Sequence, residues 1–227
     1  PAGLDVDDTR TAIAEWQAAQ RGTPRDLQAF YRRVIAAIRE VDPLTPIMVD
    51  AGIYADTQSL AVWDGPLADP RVLYAVHMYT PWEATSLPNQ RAGFTRRYPG
   101  FEADYEGRRL VWNREAVDAH LSLAFEWAGE HGLPPGRVVV SEFGCLRRWP
   151  DCAAYLGDVI SAIDRRDGHW AFYTFRPDEW DGMDYELPPS VTPGQYYWRK
   201  ERGTMDALPR DGSLMELIKR RLSPNDD

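Results

Sequence analysis

Short, unbroken apolar runs recur along the chain, separated by longer stretches with a helical period. Four of these runs span residues 46–50, 71–79, 137–145 and 169–175. An apolar run without polar alternation is typical of a strand that is buried on both faces, as in a parallel sheet. The pattern therefore predicts four parallel strands.

Helical stripes lie between the predicted strands. Apolar residues recur at every third or fourth position from Leu27 to Ile38, and Thr23 is the predicted N-cap of this helix because Pro24 follows it. Asn113 and Asp151 are predicted to cap two later helices. Helices are expected over residues 9–20, 24–42, 113–131, 151–168 and 213–222.

Strands that alternate with helices predict parallel βαβ units and an α/β fold. A closed (β/α)8 TIM barrel needs eight strands and typically ~250 residues, whereas this chain of 227 residues shows four strands. The length is that of a single domain or of a large piece of one. Residues 80–111 form a long polar and aromatic connection, which is a candidate substrate loop, and a second long loop is expected over residues 176–211.

Composition narrows the choice of partners. The net charge of −9 and the pI near 5.0 argue against nucleic acid, whose phosphates this surface would repel. No run approaches eighteen apolar residues, so no membrane-spanning helix is expected. Many of the nine Trp and eleven Tyr lie outside the predicted helix cores. Such aromatic faces suit the flat apolar face of a sugar ring, although ordinary loop anchors are the alternative for most of them.

Two cysteines, Cys145 and Cys152, are separated by seven positions. In an exported protein they could form a disulfide that closes a short loop, which the chain-entropy estimate values at about 2–3 kcal/mol. Two free thiols are equally compatible with the sequence. The pairing stays open at this point.

The strongest candidate for chemistry is Glu142, which ends the run that begins at Arg137. A carboxylate at the carboxyl end of a buried strand lies where barrel enzymes place their catalytic groups. The alternative is a strand cap or an ion pair with an arginine such as Arg147. His77 and Tyr79 end the preceding strand and alternate to the same side of it.

These motifs, in this order and at this spacing, resemble the family 5 glycoside hydrolases. That family consists of retaining (β/α)8 glycosidases and includes cellulases and β-mannanases. The four apolar runs look like strands five to eight. His77 and Tyr79 match the His-x-Tyr that ends strand six, the residues Glu142–Gly144 match the Glu-Phe-Gly that ends strand seven, and Pro1 resembles the proline of Asn-Glu-Pro after strand four.

The resemblance implies roles for the matched residues. Retaining glycosidases use two carboxyl groups that are ~5–5.5 Å apart, one as nucleophile and one as acid/base. Glu142 is then the nucleophile that cleaves a β-linked glycan, and hydrogen-bond donors should surround it to keep it ionised. Tyr79 would donate one such bond, and His77 would contact the substrate or orient the acid. The resemblance also implies a secreted enzyme without a cofactor.

Strand eight departs from the family pattern, because the position of the sugar platform holds Tyr173 instead of Trp. Either Tyr173 stacks against the sugar or Trp180 in the following loop replaces it. Trp82 and Arg176 are further candidates for substrate binding. Hydrogen bonds to sugar hydroxyls are also conceivable from three acidic residues, for which a solvated acidic loop is the simpler interpretation: Asp181, Asp184 and Glu186.

The match implies that residues 1–227 are the C-terminal part of one catalytic barrel and that the acid/base Glu stands one position before Pro1. Half a barrel leaves strand edges and part of its core uncovered. Three arrangements would explain how the edges and the core are covered: the N-terminal half is a separate chain, this chain is a fragment of a longer one, or two copies pair their edges. The chain alone is expected to have little or no activity; robust turnover would point to Asp50 or Glu83 as the acid.

Two other classes of function compete with an enzyme. The first is a glycan-binding module without turnover, and the second is an assembly piece that complements a separate half-barrel. Metal chemistry has little support, because the four histidines fit no ligand spacing, and no Gly-rich phosphate loop is present.

Overall fold

The computed structural model describes residues 9–176, 181–192, 194–205 and 212–222. Its main sheet has four parallel strands in the order β1-β2-β5-β6, and a separate antiparallel hairpin pairs β3 with β4. The predicted α/β fold is confirmed. The strands are β1 (Ile47–Asp50), β2 (Val72–Met78), β3 (Phe101–Tyr105), β4 (Arg108–Trp112), β5 (Val138–Phe143) and β6 (His169–Trp170).

The helices follow the strands in the order expected of βαβ units. They are α1 (Arg10–Gln20), α2 (Leu27–Val41), α3 (Gly52–Ala55), α4 (Thr57–Ala61), α5 (Trp82–Thr85), α6 (Leu87–Arg91), α7 (Arg114–Glu130), α8 (Cys152–Asp164), α9 (Tyr196–Glu201) and α10 (Ser213–Leu222). Single 3-10 turns span Pro135–Arg137 and Asp181–Met183. Across the described residues, every helix is too short or too polar to span a lipid bilayer.

Helix starts follow the sequence in part. Asn113 accepts a hydrogen bond from the backbone N–H of Ala116, so it caps α7 as predicted. Thr23 is not the N-cap of α2; Asp26 accepts from the N–H of Ala29 in that position. Asp151 precedes α8 without a side-chain cap bond, because its carboxylate accepts from the guanidinium of Arg97 and from the N–H of Tyr98.

The core lies on one face of the parallel sheet. Alternate side chains of β2 and β5, such as Tyr74, Val76 and Val140, are buried beneath the helices. Among the intervening positions, Ala75 is also buried, whereas Leu73 and Val139 are only partly buried. The apolar runs predicted strands that are buried on both faces of the sheet. In the structure, only one face of the sheet is completely buried.

The segment over residues 80–111 was expected to be a loop and instead holds α5, α6 and the β3–β4 hairpin. Glu106 and Gly107 at the hairpin tip have φ of 52° and 72°. A two-residue hairpin turn of type I′ requires positive φ at both central residues, most often supplied by Asn-Gly or Asp-Gly. Glu-Gly is a weaker signal, so the hairpin escaped sequence reading.

The last strand is shorter than predicted. Regular pairing covers only β6, but backbone hydrogen bonds to β5 continue from Ala171 N to Val140 O at 2.9 Å and from Tyr173 N to Phe143 O at 2.8 Å. Residues 169–173 therefore run beside β5 and place Tyr173 at its carboxyl end.

Strand β1 lies at an edge of the described sheet, where it pairs with β2 alone. Met48 on this strand is 52% exposed. Phe30, Ile38 and Val41 lie on one side of α2 at helical spacing, and all three are exposed, Val41 by 88%. We refer to Phe30, Ile38 and Val41 as the α2 stripe.

Candidate active site

Glu142 lies on β5 opposite His77 on β2, at the carboxyl edge of the sheet. The register between the two strands shifts there, because Val76 aligns with Val140 and His77 aligns with Glu142. The extra residue, Ser141, makes a bulge, and bulges commonly re-aim side chains beside active sites. The local irregularity places the carboxylate next to the imidazole.

The carboxylate of Glu142 has two neighbours on β2 and its extension. The hydroxyl of Tyr79 donates a hydrogen bond to Oε2 of Glu142 at 2.9 Å, and Nδ1 of His77 lies 3.7 Å from the same oxygen. The Glu142 side chain is 40% exposed and that of His77 is 20% exposed. One side of the carboxylate is thus held by protein, while solvent or a ligand can reach the other.

Tyr79 is a fixed donor in this arrangement. Burial raises the pKa of its phenol, and the adjacent charge of Glu142 raises the pKa further. The phenol therefore stays protonated at any working pH. Burial and then the charge of Glu142 also raise the pKa of Tyr173, whose backbone N–H donates to the carbonyl oxygen of Phe143, the residue after Glu142.

Behind Glu142 the chain is closely packed at Gly144. A Cβ added there would lie 2.5 Å from the carbonyl oxygen of Tyr173 and 2.9 Å from the hydroxyl of Tyr185. No larger residue fits without movement of the backbone. The glycine that follows the Glu-Phe pair is therefore needed for the close approach of β5 to residue 173.

A disulfide joins Cys145 to Cys152 just beyond this glycine, which settles the question that the sequence left open. The hydroxyl of Tyr185 accepts from the N–H of Cys145 at 2.9 Å and donates to its carbonyl oxygen at 3.1 Å. The sequence did not single out Tyr185. An isolated loop tyrosine carries no signal of such a role.

Trp82, a sequence candidate for substrate binding, lies beside Tyr79. Its side chain is 41% exposed, and its ring meets that of Tyr79 edge-on with centroids 6.3 Å apart. Trp180, the other candidate platform, lies outside the described residues, as does Pro1.

Arg176 is engaged by protein groups. Its Nε donates to Glu186 at 2.7 Å, and its guanidinium lies 4.6 Å from the ring centroid of Phe175 and 4.5 Å from that of Tyr197. Asp184 is buried, and burial raises its pKa to about 6. A solvated acidic loop therefore describes this region poorly. The side chain of Asp181 lies outside the described residues.

A buried polar cluster next to the site was also missed. Nδ1 of His120 lies 2.8 Å from the hydroxyl of Tyr105, and Nε2 lies 3.8 Å from Oδ2 of Asp56. The backbone of Asp56 forms a bridge with that of His77. From the sequence, His120 was considered only as a possible metal ligand, because the sequence does not show which histidines lie in a buried polar cluster.

The sequence and the fold were compared with those of known proteins. The sequence matches the profile of Cellulase (glycosyl hydrolase family 5) over residues 6–179. Among curated proteins, none matches the chain significantly.

Several solved structures share the fold at low sequence identity. The cellulose synthase subunit Z (CcsZ) of Clostridioides difficile is 17% identical with a TM-score of 0.55, and the match covers 74% of this chain and 53% of that chain. Cel5A of Thermotoga maritima, in complex with mannotriose, is 15% identical with a TM-score of 0.57, over 82% and 55%. The endoglucanase Cel5A of Pseudomonas stutzeri, in complex with cellobiose, is 14% identical with a TM-score of 0.56, over 98% and 62%.

This chain thus spans between 53% and 62% of the length of these three proteins. Its four parallel strands and their helices form part of a (β/α)8 barrel, as expected from the sequence. The family profile covers well over half of the chain. The chain therefore belongs to glycosyl hydrolase family 5, the cellulase family.

Proposed function

We propose that this chain supplies the nucleophile of a retaining β-glycosidase, with Glu142 in that role. The observation that carries the proposal is the hydrogen bond of 2.9 Å from Tyr79 to Glu142, at the carboxyl end of a barrel strand in a cellulase-family chain. A carboxylate that is oriented on one oxygen and open on its other side can attack a bound sugar.

The reaction has two steps. Glu142 attacks the anomeric carbon and forms an ester to the sugar, while the glycosidic C–O bond breaks and an acid donates a proton to the leaving oxygen. A water molecule then cleaves the ester after losing its proton to the same acid/base group. Tyr79 orients the nucleophile throughout, and His77 lies beside the same carboxylate oxygen.

The second carboxyl group has no good candidate on the neighbouring strands. Asp50 ends β1, which is separated from β5 by β2. Two strand spacings amount to roughly 9–10 Å, whereas the two carboxyl groups of a retaining enzyme lie ~5–5.5 Å apart. We propose that the acid/base comes from a further half-barrel that is not among the described residues.

The uncovered surfaces support this partner. An edge strand and exposed apolar side chains are unfavourable in water unless another element covers them. Met48 on the β1 edge and the α2 stripe have both properties. A preceding half of the barrel would pair with β1 and pack against α2.

The substrate that we propose is a β-linked glucan or mannan. The Thermotoga maritima relative was solved with mannotriose, and the Pseudomonas stutzeri relative with cellobiose. Trp82 and Tyr173 offer aromatic faces beside Glu142, which suit stacking against either sugar. We also propose that the protein is exported, because disulfides such as Cys145–Cys152 persist in oxidising compartments.

A covalent label tests whether Glu142 is the nucleophile and does not require the acid/base group. A 2-deoxy-2-fluoro-β-cellobioside or mannobioside with a dinitrophenyl leaving group needs no proton donor, because the phenolate departs unaided. Mass spectrometry should find one fluoroglycosyl group per chain, attached to Glu142. Glu142→Gln should remain unlabelled; labelling at another carboxylate would refute the assignment.

A glycan-binding module without turnover is the second candidate, favoured by the lack of a second carboxyl group near Glu142 among the adjacent strands. It predicts that Glu142→Gln leaves the affinity for cello-oligosaccharides unchanged and that the wild-type chain is never labelled. Calorimetric titration of both proteins, alongside the labelling experiment, separates the two candidates.

A further inference from the structure

The pairing of β1 with β2 is interrupted next to His77. Asp50 pairs with Ala75, so an unbroken parallel ladder would place Gly52, two residues further on, beside His77. In the structure, the backbone of Asp56 forms the bridge with His77 instead. The four residues of α3 are therefore inserted into the ladder at the carboxyl edge of the sheet.

The inserted segment has an unfavourable backbone conformation. It is a left-handed turn and not a regular helix, because φ is 53° at Ile53, 54° at Tyr54 and 58° at Ala55. Residues with a Cβ atom adopt this conformation only where the surrounding structure enforces it, and such residues cluster at functional sites. Ile53 and Ala55 are buried and hold the turn in place. The strain favours a function for the residue that the turn brings to His77, which is Asp56.

The carboxylate of Asp56 belongs to the buried polar cluster beside the site. Its Oδ1 accepts a hydrogen bond from the backbone N–H of Gln58 at 2.8 Å and thereby caps α4. Its Oδ2 lies 3.8 Å from Nε2 of His120, and Nδ1 of His120 lies 2.8 Å from the hydroxyl of Tyr105. Asp56 and His120 are 5% and 1% exposed. The cluster therefore connects the β3–β4 hairpin and α7 to the residue beside His77.

The protons within the cluster are arranged by burial and charge. Burial raises the pKa of the Tyr105 phenol, which stays protonated, and burial lowers the pKa of His120 to about 4, so its imidazole is neutral near pH 7. A neutral imidazole carries one proton. With that proton on Nε2, the imidazole accepts from Tyr105 and directs an N–H towards the carboxylate of Asp56. The other tautomer would direct a lone pair at the carboxylate, so the first arrangement is favoured.

We propose that Asp56 and His120 are positioning residues for His77. The backbone of Asp56 lies beside that of His77, and Nδ1 of His77 lies 3.7 Å from Oε2 of Glu142. A displacement of Asp56 therefore shifts the end of β2 and changes the distance between the imidazole and the nucleophile. The inference rests on the proposed function in so far as Glu142 is that nucleophile. It gives the β3–β4 hairpin a part in the geometry of the site.

Histidine NMR tests the coupling without any need for catalysis. The four histidines of the 227-residue chain are labelled with nitrogen-15, and His77→Gln assigns the signals of His77. Tyr105→Phe removes the hydroxyl and keeps the ring, and it should move the ring-nitrogen signals of both His120 and His77. Tyr98→Phe is the matched control and should move neither, because the Tyr98 hydroxyl donates to Asp158 at 2.7 Å, outside the cluster.

The kinetics of fluoroglycoside labelling provide the functional readout. Asp56→Asn keeps the size of the side chain, but its single oxygen cannot both cap α4 and face the N–H of His120. The labelling rate constant at saturating fluoroglycoside should fall roughly threefold to tenfold, as for the loss of one hydrogen bond. The fluoroglycoside concentration that gives half of the maximal rate should stay unchanged. A purely structural role would lower the thermal midpoint and leave the rate constant of the folded protein as it is.

A double-mutant cycle tests whether the cluster acts as a unit. Asp56→Asn together with Tyr105→Phe should slow labelling no more than Asp56→Asn alone, because both changes break the same chain of contacts. Additive effects of the two changes on the rate would overturn the inference. Should Asp56→Asn fail to fold, Tyr105→Phe decides by both measurements.

The results also separate this inference from the proposed function. If Tyr105→Phe moves the signals of His120 and leaves those of His77 in place, the cluster does not position His77, and the proposed function stands. If the wild-type chain is never labelled at Glu142, the proposed function fails. The NMR signals then still decide whether the cluster positions His77.

Discussion

At the scale of single residues, the candidate nucleophile depends on side chains that the sequence could name and on others that it could not. Glu142, His77 and Tyr79 were found because each ends an apolar run, so their shared edge follows from parallel strands. The contact distances were not foreseeable, because the bulge at Ser141 changes the register. Tyr185 and His120 carried no sequence signal, since their partners come from distant segments.

Tyr79→Phe should slow the fluoroglycoside labelling of Glu142 by roughly tenfold to a hundredfold. The change removes a hydrogen bond to a charged group, which is worth about 1.5–3 kcal/mol, and keeps the ring. The rate constant is measured by intact-mass spectrometry over time. Tyr98→Phe is the control, because Tyr98 donates to Asp158, away from Glu142. Equal rates in Tyr79→Phe and the wild type would show that the bond does not orient the nucleophile.

His120 should make the fold sensitive to mild acid. Burial, with a smaller contribution from Arg10, lowers its pKa from 6.5 to about 4. The unfolded chain then binds a proton at a higher pH than the folded chain, so stability is full above pH 6.5 and falls as the pH drops towards 4. The loss from this group amounts to about 3 kcal/mol.

Urea unfolding at several pH values between 7 and 4 measures this loss. His120→Gln removes the titrating group and should flatten that part of the pH dependence, although the variant is less stable at pH 7. An unchanged slope in His120→Gln would assign the acid sensitivity to other residues.

At the scale of elements, the sequence predicted the strands well and the connections poorly. Four apolar runs became the four strands of the main sheet, because burial in a parallel sheet leaves a continuous apolar pattern. The β3–β4 hairpin has an unusual turn and charged, solvent-facing strands, so neither periodicity nor turn chemistry revealed it. The last strand lost its regular pairing after Trp170, where the chain turns to approach Gly144.

Gly144→Ala tests the contact between β5 and the segment at residue 173. A new Cβ would lie 2.5 Å from the carbonyl oxygen of Tyr173, so one backbone segment must move. Overpacking of this kind typically costs about 1–3 kcal/mol, and we expect the midpoint of thermal unfolding to fall accordingly.

Gly157→Ala is the matched control for this experiment. Gly157 lies within α8, and a Cβ there would meet nothing within 4 Å. The same substitution should raise stability by up to about 1 kcal/mol, because alanine favours the helix. A Gly144→Ala protein as stable as the wild type would mean that the close approach is easily relaxed.

At the scale of the whole molecule, the exposed apolar residues of the α2 stripe and the edge strand β1 are expected to govern self-association. The sequence predicted an apolar helical stripe from Leu27 to Ile38, but a helical period shows only which residues share a face and not what covers that face. Phe30, Ile38 and Val41 are nevertheless exposed. The period of a helix therefore does not distinguish a face buried in a core from an apolar face that is exposed.

The isolated chain should therefore self-associate as its concentration rises. Replacing both Phe30 and Val41 with Gln should reduce the association without lowering the thermal midpoint, because both side chains are exposed. Sedimentation velocity measures the change. Leu222→Gln is the control, since Leu222 is an exposed apolar residue on α10. If Leu222→Gln reduced the association equally, the α2 stripe would not be the surface through which the chains associate.

The open edge at β1 also has a practical consequence. If two halves of an enzyme assemble only when they are held close together, the enzyme is active only under that condition. If the nucleophile and the acid reside on separate halves, as proposed, sugar cleavage would report the meeting of any two proteins fused to them. Charged substitutions at Phe30 or Val41 would weaken the spontaneous assembly of the two halves. The rate of sugar cleavage would then depend on the interaction between the two fused proteins.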